Sequence, residues 1–216
     1  FLFMLNVSVV LYQSLKSDIL RIIQTLENCD QLNILFFIDN SPKENEYLKQ
    51  LTHVKIKYIH TGKNLGYGKG HNIALRKSIN LNIKYHLVLN PDIHFSAKIF
   101  DEIINFMNNN NDVGHMLPKT FYPNKELEFN CRILPSPFNL FARSFLPKFL
   151  YKTSNDKYDL KHTGYNSIIN APQLSGCFMF LRVSALKDVG VFDERFFMYL
   201  EDIDLSRRIH RNFKTI

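Results

Sequence analysis

Three carboxylates stand within four residues at Glu201-Asp202-Ile203-Asp204, one residue after the aromatic run Phe196-Phe197-Met198-Tyr199. Carboxylates this close repel one another, and one set beside apolar rings has its pKa raised, which is the condition for a general base. On a helix, residues 201 and 204 share a face while 202 points elsewhere. Asp202 is therefore expected to face a substrate while Asp204 holds the helix start. The plain alternative is an acidic first turn stabilised by the helix dipole.

Three further polar clusters carry chemistry. Asn90-Pro91-Asp92 closes the apolar run YHLVL, and one carboxylate with phosphate partners suits Mg²⁺ or Mn²⁺; a β-turn with a helix-capping Asp is the alternative. Asp39-Asn40-Ser41-Pro42 follows NILFFI, where Asp39 can accept a hydrogen bond from a base or sugar, or simply form an Asx-turn. The segment 62–72, GKNLGYGKGHN, is Gly-rich and opens a helix. Close backbone approach, a helix N-terminus and the donors Lys63, Lys69 and His71 make it a place for a diphosphate, with Asn64, Gly66 and His71 as candidate contacts. A plain turn is the alternative. It is not a P-loop, since GxxxxGK[ST] is absent, and as a dinucleotide fingerprint it follows the wrong strand.

The elements that must position these residues alternate. Buried or alternating strands are expected at 5–12, 33–38, 54–59 (near a sheet edge) and 85–89. Helices are expected at 17–27 with Ser17 as N-cap, at 70–80 and at 97–108. This βαβα order predicts an α/β fold, a mostly parallel sheet with helices on both faces, and such sheets bind ligands beyond the carboxyl ends of their strands. The clusters at 39–42, 60–72 and 90–94 fall at those ends. Residues 119–170 read as a long excursion with few firm elements, followed by a strand at 173–182 and a short helix at 184–188.

Composition narrows the class. The chain has 216 residues, 45% hydrophobic and 22% charged, which suits one globular domain with a core and excludes collagen-like or wholly disordered chains. The net charge of +7 favours polyanionic partners, but no dense Lys/Arg block singles out nucleic acid. Cys29, Cys131 and Cys177 are dispersed and read as core thiols of a reducing compartment. No apolar stretch of 18 residues encodes a membrane span. The stretch 138–151, with Phe138, Phe141, Phe145 and Phe149 near one helical face and Arg143, Lys148 and Lys152 around them, fits either a membrane interface or an ordinary packed helix.

In order, VSVVLY, DNSP, NLGYGKGHN, LNPDI, SGCFMFLR and GVFDERFFMYLEDIDLSRR resemble the inverting glycosyltransferases of family 2, most closely their rhamnosyltransferase-like branch in bacterial surface-polysaccharide synthesis. The resemblance covers almost the whole chain and thins at 119–170. It implies a GT-A fold in a single domain over 1–216, with a nucleotide-sugar-binding half at 1–112 and an acceptor-binding and catalytic half at 113–216. It implies a nucleoside-diphosphate sugar donor, a saccharide or polyprenyl-linked saccharide acceptor, and a cytoplasmic location, peripheral on the membrane. By the same resemblance Asp39 reads the base, His71 sits at the diphosphate, and Asn90-Pro91-Asp92 stands for the DxD motif with Asp92 on the metal side. Ser175 and Gly176 flank the donor sugar, and Asp202 is the base, beside Glu201. The chain departs from the family at Asn90, where the motif has a carboxylate. After Asp202 it holds only His210, inside the expected helix, where members carry a downstream His ligand. That ligand and any C-terminal membrane-binding helices are expected to lie beyond a truncated end. A non-catalytic nucleotide-sugar module, a metal-dependent phosphohydrolase or nucleotidyltransferase using Asp92, Glu201 and Asp204, and an NAD(P)-dependent oxidoreductase stay as alternatives.

Overall fold

The computed structural model describes residues 4–134 and 154–216. The aromatic-basic stretch 138–151 and Lys152 lie outside the described residues. In chain order the main elements are β1 (Leu5–Leu11), α1 (Lys16–Leu26), β2 (Leu32–Asp39), α2 (Glu46–Gln50), β3 (Ile56–His60), α3 (Tyr67–Asn80), β4 (Tyr85–Leu89), α4 (Ile99–Asn109) and β5 (Val113–Met116). Two-residue strands follow: β6 (Thr120–Phe121) pairs with β7 (Leu127–Glu128), and β8 (Cys131–Arg132) pairs with β9 (Gln173–Leu174). The chain then forms β10 (Phe178–Arg182), α5 (Val183–Val189), α6 (Glu201–His210) and β11 (Lys214–Thr215).

Seven strands form one sheet in the order β11-β5-β10-β4-β1-β2-β3. β10 runs antiparallel to both neighbours, and the remaining pairs are parallel. The strands read as unbroken apolar runs because both faces are covered. Leu87 and Leu89 pack with α1 and α4, and so do Phe178 and Phe180. Their neighbours Val88, Met179 and Leu181 face α3, α5 and α6 on the other side. β3 is the edge strand its alternation predicted.

β1 departs from this pattern on one face. Leu5, Val7, Val9 and Leu11 join the core, but Asn6 and Ser8 point toward α3 and are fully buried. They are satisfied by a polar seam. Asn6 Nδ2 donates to Ser78 Oγ (2.7 Å), which meets His86 Nδ1 (2.7 Å). His86 Nε2 meets Ser8 Oγ (2.8 Å), which meets His71 Nδ1 (2.7 Å). The glycines of the α3 start complete this docking. A Cβ at Gly70 falls 2.8 Å from a Val10 methyl, and one at Gly68 falls 2.9 Å from Phe192 Cβ. Gly66, at φ +83°, precedes the helix, and a Cβ there falls 2.1 Å from the Phe197 carbonyl oxygen.

Several expectations are corrected. Leu15, not Ser17, stands at the α1 cap, because the helix starts at Lys16 and takes Ser17 into its first turn. The expected strand 173–182 is broken at 175–177, where the chain leaves β8 and crosses to β4 and β5. β5 and β11 were not foreseen; β11 is two residues long and exists through parallel pairing with β5.

Two stability predictions follow from the α3 face and its histidines. Burial pushes His86 and His115 down to about 3 and His71 well below its ordinary value. The unfolded chain protonates these groups from about pH 6.5 downward, whereas the folded chain does not protonate His86 and His115 until near pH 3, and His71 only well below its ordinary range. Stability is therefore complete above about pH 6.5 and falls as the pH drops, by up to about 1.4 kcal/mol per pH unit for each histidine. Urea midpoints at pH 7, 6 and 5 should fall progressively with an unchanged slope; a flat midpoint contradicts the neutral, buried seam. Gly66→Ala should cost about 3 kcal/mol, from a glycine-only conformation plus a backbone collision. Gly62→Ala, at φ +72° with open space around it, should cost about 1 kcal/mol. Equal losses in urea titrations would contradict this use of the α3 start.

Candidate active site

Parallel β1, β2 and β4 end on one edge of the sheet, and antiparallel β10 begins there, with Phe178 opposite Leu89. The crossing residues 175–177 thus meet the β4 end. Cys177 C=O accepts from Asn90 N–H at 2.9 Å, and Ser175 N–H donates to Asn130 C=O at 3.0 Å. α6 starts beside them. A cleft of about 330 Å³ is lined there by Tyr67, Asn90, Ser175, Gly176, Glu201 and Asp202, among others. Five expected site residues converge in it: Asn90, Ser175, Gly176, Glu201 and Asp202.

The two adjacent carboxylates differ in environment. Asp202 is partly exposed; its Oδ2 accepts from Gly176 N–H (3.0 Å) and its Oδ1 from Ile203 N–H (2.8 Å). Each oxygen retains lone-pair capacity toward the cleft. Glu201 is 4% exposed, its Oε2 has no partner among the described residues, and burial, then the Asp202 charge, raises its pKa. The raised carboxylate expected from the sequence is therefore Glu201. Asp204 does not hold the helix start: it pairs with Arg208 at 2.8 Å, and Arg208 also clamps the Val189 and Val191 carbonyls. The turn into α6 is strained, with Tyr199 and Leu200 both left-handed at φ +69° and +71°. The side chains of 197–200 lie exposed there.

The Gly-rich segment serves the fold more than a ligand. Asn64 Oδ1 accepts from Gly66 N–H (3.0 Å), Gly66 C=O accepts from Asn40 Nδ2 (3.0 Å), and Tyr67 N–H donates to Phe197 C=O (3.1 Å). The Gly66 and Tyr67 N–H groups at the α3 start are thus taken by protein. His71 is corrected as a cationic diphosphate donor: it is fully buried between Ser8, Tyr67 and Phe192 and held neutral by burial. Lys69 is engaged with Glu194 at 3.3 Å.

Asp39 ends β2 almost fully buried, accepting from Ser41 N–H (3.0 Å) and the Tyr58 hydroxyl (2.7 Å). With Ser41 and Asn45 it borders a separate cleft of about 480 Å³. Asp92 is exposed and borders a third, of about 770 Å³, with His94, Lys119 and Glu128. Asp92 and Glu201 thus face different cavities and Asp204 is paired, so the three do not form a phosphohydrolase-type cluster. Among the described residues no group of three or more His, Cys, Asp or Glu side chains is placed to hold a metal. A lone exposed carboxylate still fits a hard divalent cation that takes its other oxygens from phosphate and water. His210 is tied to Thr215 Oγ1 at 2.7 Å. Cys29 and Cys131 are core thiols as expected, but Cys177 is partly exposed in the active cleft. Tyr67, unremarked in the sequence except as part of the Gly-rich run, lines the cleft and bonds Gly176 C=O at 2.5 Å.

Comparison with known proteins agrees with this geometry. No family model matches the chain. It is 28% identical over 211 residues to a low-salt glycan biosynthesis hexosyltransferase of Haloferax volcanii, covering 96% of this chain and 62% of that protein. It is 26% identical over 166 residues to an N-acetylglucosaminyl-diphospho-decaprenol L-rhamnosyltransferase of Mycobacterium tuberculosis, covering 71% of this chain and 53% of that protein. The chain thus matches between about half and two thirds of the length of these relatives. Among solved structures it superposes on S. aureus TarS with a TM-score of 0.61 at 14% identity, over 98% of this chain and 57% of that one. It superposes on a Pyrobaculum calidifontis mannosyltransferase, solved with GDP-Man and Mn²⁺, with a TM-score of 0.62 at 12% identity, over 100% and 55%. The chain has the GT-A fold of glycosyltransferases, and its sequence is similar to a glycan biosynthesis hexosyltransferase and an N-acetylglucosaminyl-diphospho-decaprenol L-rhamnosyltransferase.

Proposed function

We propose that this chain is the catalytic domain of an inverting glycosyltransferase. It moves a hexosyl group, with rhamnose among the candidates, from a nucleoside-diphosphate sugar to a saccharide or polyprenyl-linked saccharide in surface-polysaccharide synthesis. The observation that carries this reading is the convergence of Asn90, Ser175, Gly176, Glu201 and Asp202 in one cleft, with Asp202 held by the Gly176 N–H. Asp202 takes the proton of the acceptor hydroxyl as that oxygen attacks the anomeric carbon. The bond to the diphosphate breaks on the opposite face, its electrons pass to the leaving nucleoside diphosphate, and the configuration inverts. Glu201 stands buried beside Asp202, its carboxyl pushed up by burial and by the Asp202 charge. The oriented base supplies roughly 10²–10⁴-fold of the rate; positioning of the two substrates supplies much of the remainder.

Asp39 reads the base from its cleft at the β2 end, and Asn64 and Gly66 act by shaping the neighbouring loop. Asp92 would hold Mg²⁺ or Mn²⁺ together with the diphosphate, and the cation would supply positive charge against the leaving group. No helix among the described residues is long and apolar enough to cross a membrane. The net charge of +7 supports peripheral attachment to an anionic cytoplasmic face.

Thermal shift against UDP, GDP, dTDP, CDP and NAD⁺, each with and without Mn²⁺, followed by transfer assays with the matching sugar nucleotides, tests this. One nucleoside diphosphate should stabilise the chain, more so with Mn²⁺, and NAD⁺ should not. Asp202→Asn should retain that shift and lose at least about 100-fold in transfer rate. Asp39→Asn, which can keep the Ser41 bond, should weaken nucleotide binding about tenfold. Transfer at the wild-type rate by Asp202→Asn, or release of orthophosphate in place of nucleoside diphosphate, contradicts the assignment.

A further inference from the structure

Tyr67 links the start of α3, the loop before α6 and the 175–177 crossing, three of the segments that border the cleft. Its N–H donates to the Phe197 carbonyl, tying α3 to the loop before the acidic pair. Its ring is fixed edge-on against His71 (centroids 4.5 Å apart) and Phe192 (5.9 Å). His71 is itself anchored through Ser8 and His86 to the sheet. A ring held on two sides puts its hydroxyl in one place, and that hydroxyl donates to the Gly176 carbonyl at 2.5 Å. The Gly176 N–H donates to Asp202 Oδ2. Gly176 is closely packed between the two: a Cβ there falls 3.2 Å from Asp202 Cβ and 3.3 Å from the Tyr67 oxygen. Burial, then the Asp202 charge, pushes the Tyr67 hydroxyl well up, so the phenol keeps its proton and acts as donor.

We propose that Tyr67 is a positioning residue for the proton-accepting carboxylate: its hydroxyl holds the 175–177 crossing so that the Gly176 N–H orients Asp202. The kinetic half of this proposal rests on the glycosyl-transfer reading; the geometric half does not. Without the hydroxyl, the Gly176 carbonyl loses its anchor, the amide swings, and Asp202 loses the bond that stabilises its ionised form and aims its free lone pairs.

The test is Tyr67→Phe, which keeps the ring between His71 and Phe192, read first without substrate. In ¹⁵N-labelled protein the Gly176 amide resonance is followed against pH. Glu201, Cys177, Tyr67 and Tyr199 are the other titratable groups around the cleft, so Glu201→Gln and Asp202→Asn serve as controls, and the titration should vanish only in Asp202→Asn. In Tyr67→Phe the midpoint should move to higher pH, and hydrogen-exchange protection of the Gly176 amide should fall about tenfold. The α1 and β2 resonances should stay in place. An unchanged midpoint and protection overturn the proposal. Where the wild type transfers sugar, Tyr67→Phe should lose about tenfold in kcat with an unchanged donor KM, and the acid limb of its pH profile should move to higher pH. A purely structural tyrosine would instead lower Tm and raise KM. A wild type that binds no nucleoside diphosphate while its amide responds as described refutes the transferase reading and leaves the positioning role standing.

Discussion

The site depends on a crossing of three residues. At 175–177 the chain stops pairing with β8 and starts pairing antiparallel with β4, and it must do so at the edge where the parallel strands end. That passage exposes backbone groups which no strand satisfies, and each unpaired buried group costs about 1–3 kcal/mol. They are satisfied by groups bordering the cleft and the adjoining strands: Gly176 N–H by Asp202, Gly176 C=O by Tyr67, Cys177 C=O by Asn90 and Ser175 N–H by Asn130. The same bonds that repair the sheet therefore set the geometry of the cleft. The reversed direction of β10 is what makes this possible, because a parallel strand would start at the opposite edge.

The electrostatics follow from where each carboxylate sits. Glu201 and Asp202 are chain neighbours, yet one points into the protein and the other into the cleft. Burial, and then the neighbouring Asp202 charge, pushes the Glu201 carboxyl up. α3 shows the converse. A histidine among glycines at a helix start looks like a hydrogen-bond donor to an anion, but in this fold it is the last member of a neutral seam. The glycines beside it make room for Val10, Phe192 and the Phe197 carbonyl. Close backbone approach is their use, as glycine chemistry suggests, but the approach is to protein.

Much of this was legible in the chain. β2 and β4 are nearly unbroken apolar runs, and only a strand covered on both faces reads that way; the alternation of β3 placed it at the edge. The Glu201-Asp202 pair was legible because local crowding of carboxylates has a local cause. What could not be read depends on distant partners. Ser8 and His71 are 63 positions apart, so nothing near His71 announced its burial. β11 has no pattern of its own and forms because β5 offers an edge. Which of the two adjacent carboxylates has the raised pKa depends on how α6 meets Gly68 and Phe192, a tertiary fact. Tyr67 was hidden in a run whose glycines drew the reading toward phosphate.

The central claim is that the edge formed by β2, β4 and the 175–177 crossing holds one sugar nucleotide with its anomeric carbon before Asp202. A crystal structure of the chain soaked with the best-binding nucleoside diphosphate and Mn²⁺, using the manganese anomalous signal, tests this most directly. The account predicts the base beside Asp39, a manganese peak between Asp92 and the diphosphate, and the terminal phosphate at the mouth of the Asn90–Gly176–Asp202 cleft. A nucleotide bound away from that edge, or a metal held without Asp92, would contradict it.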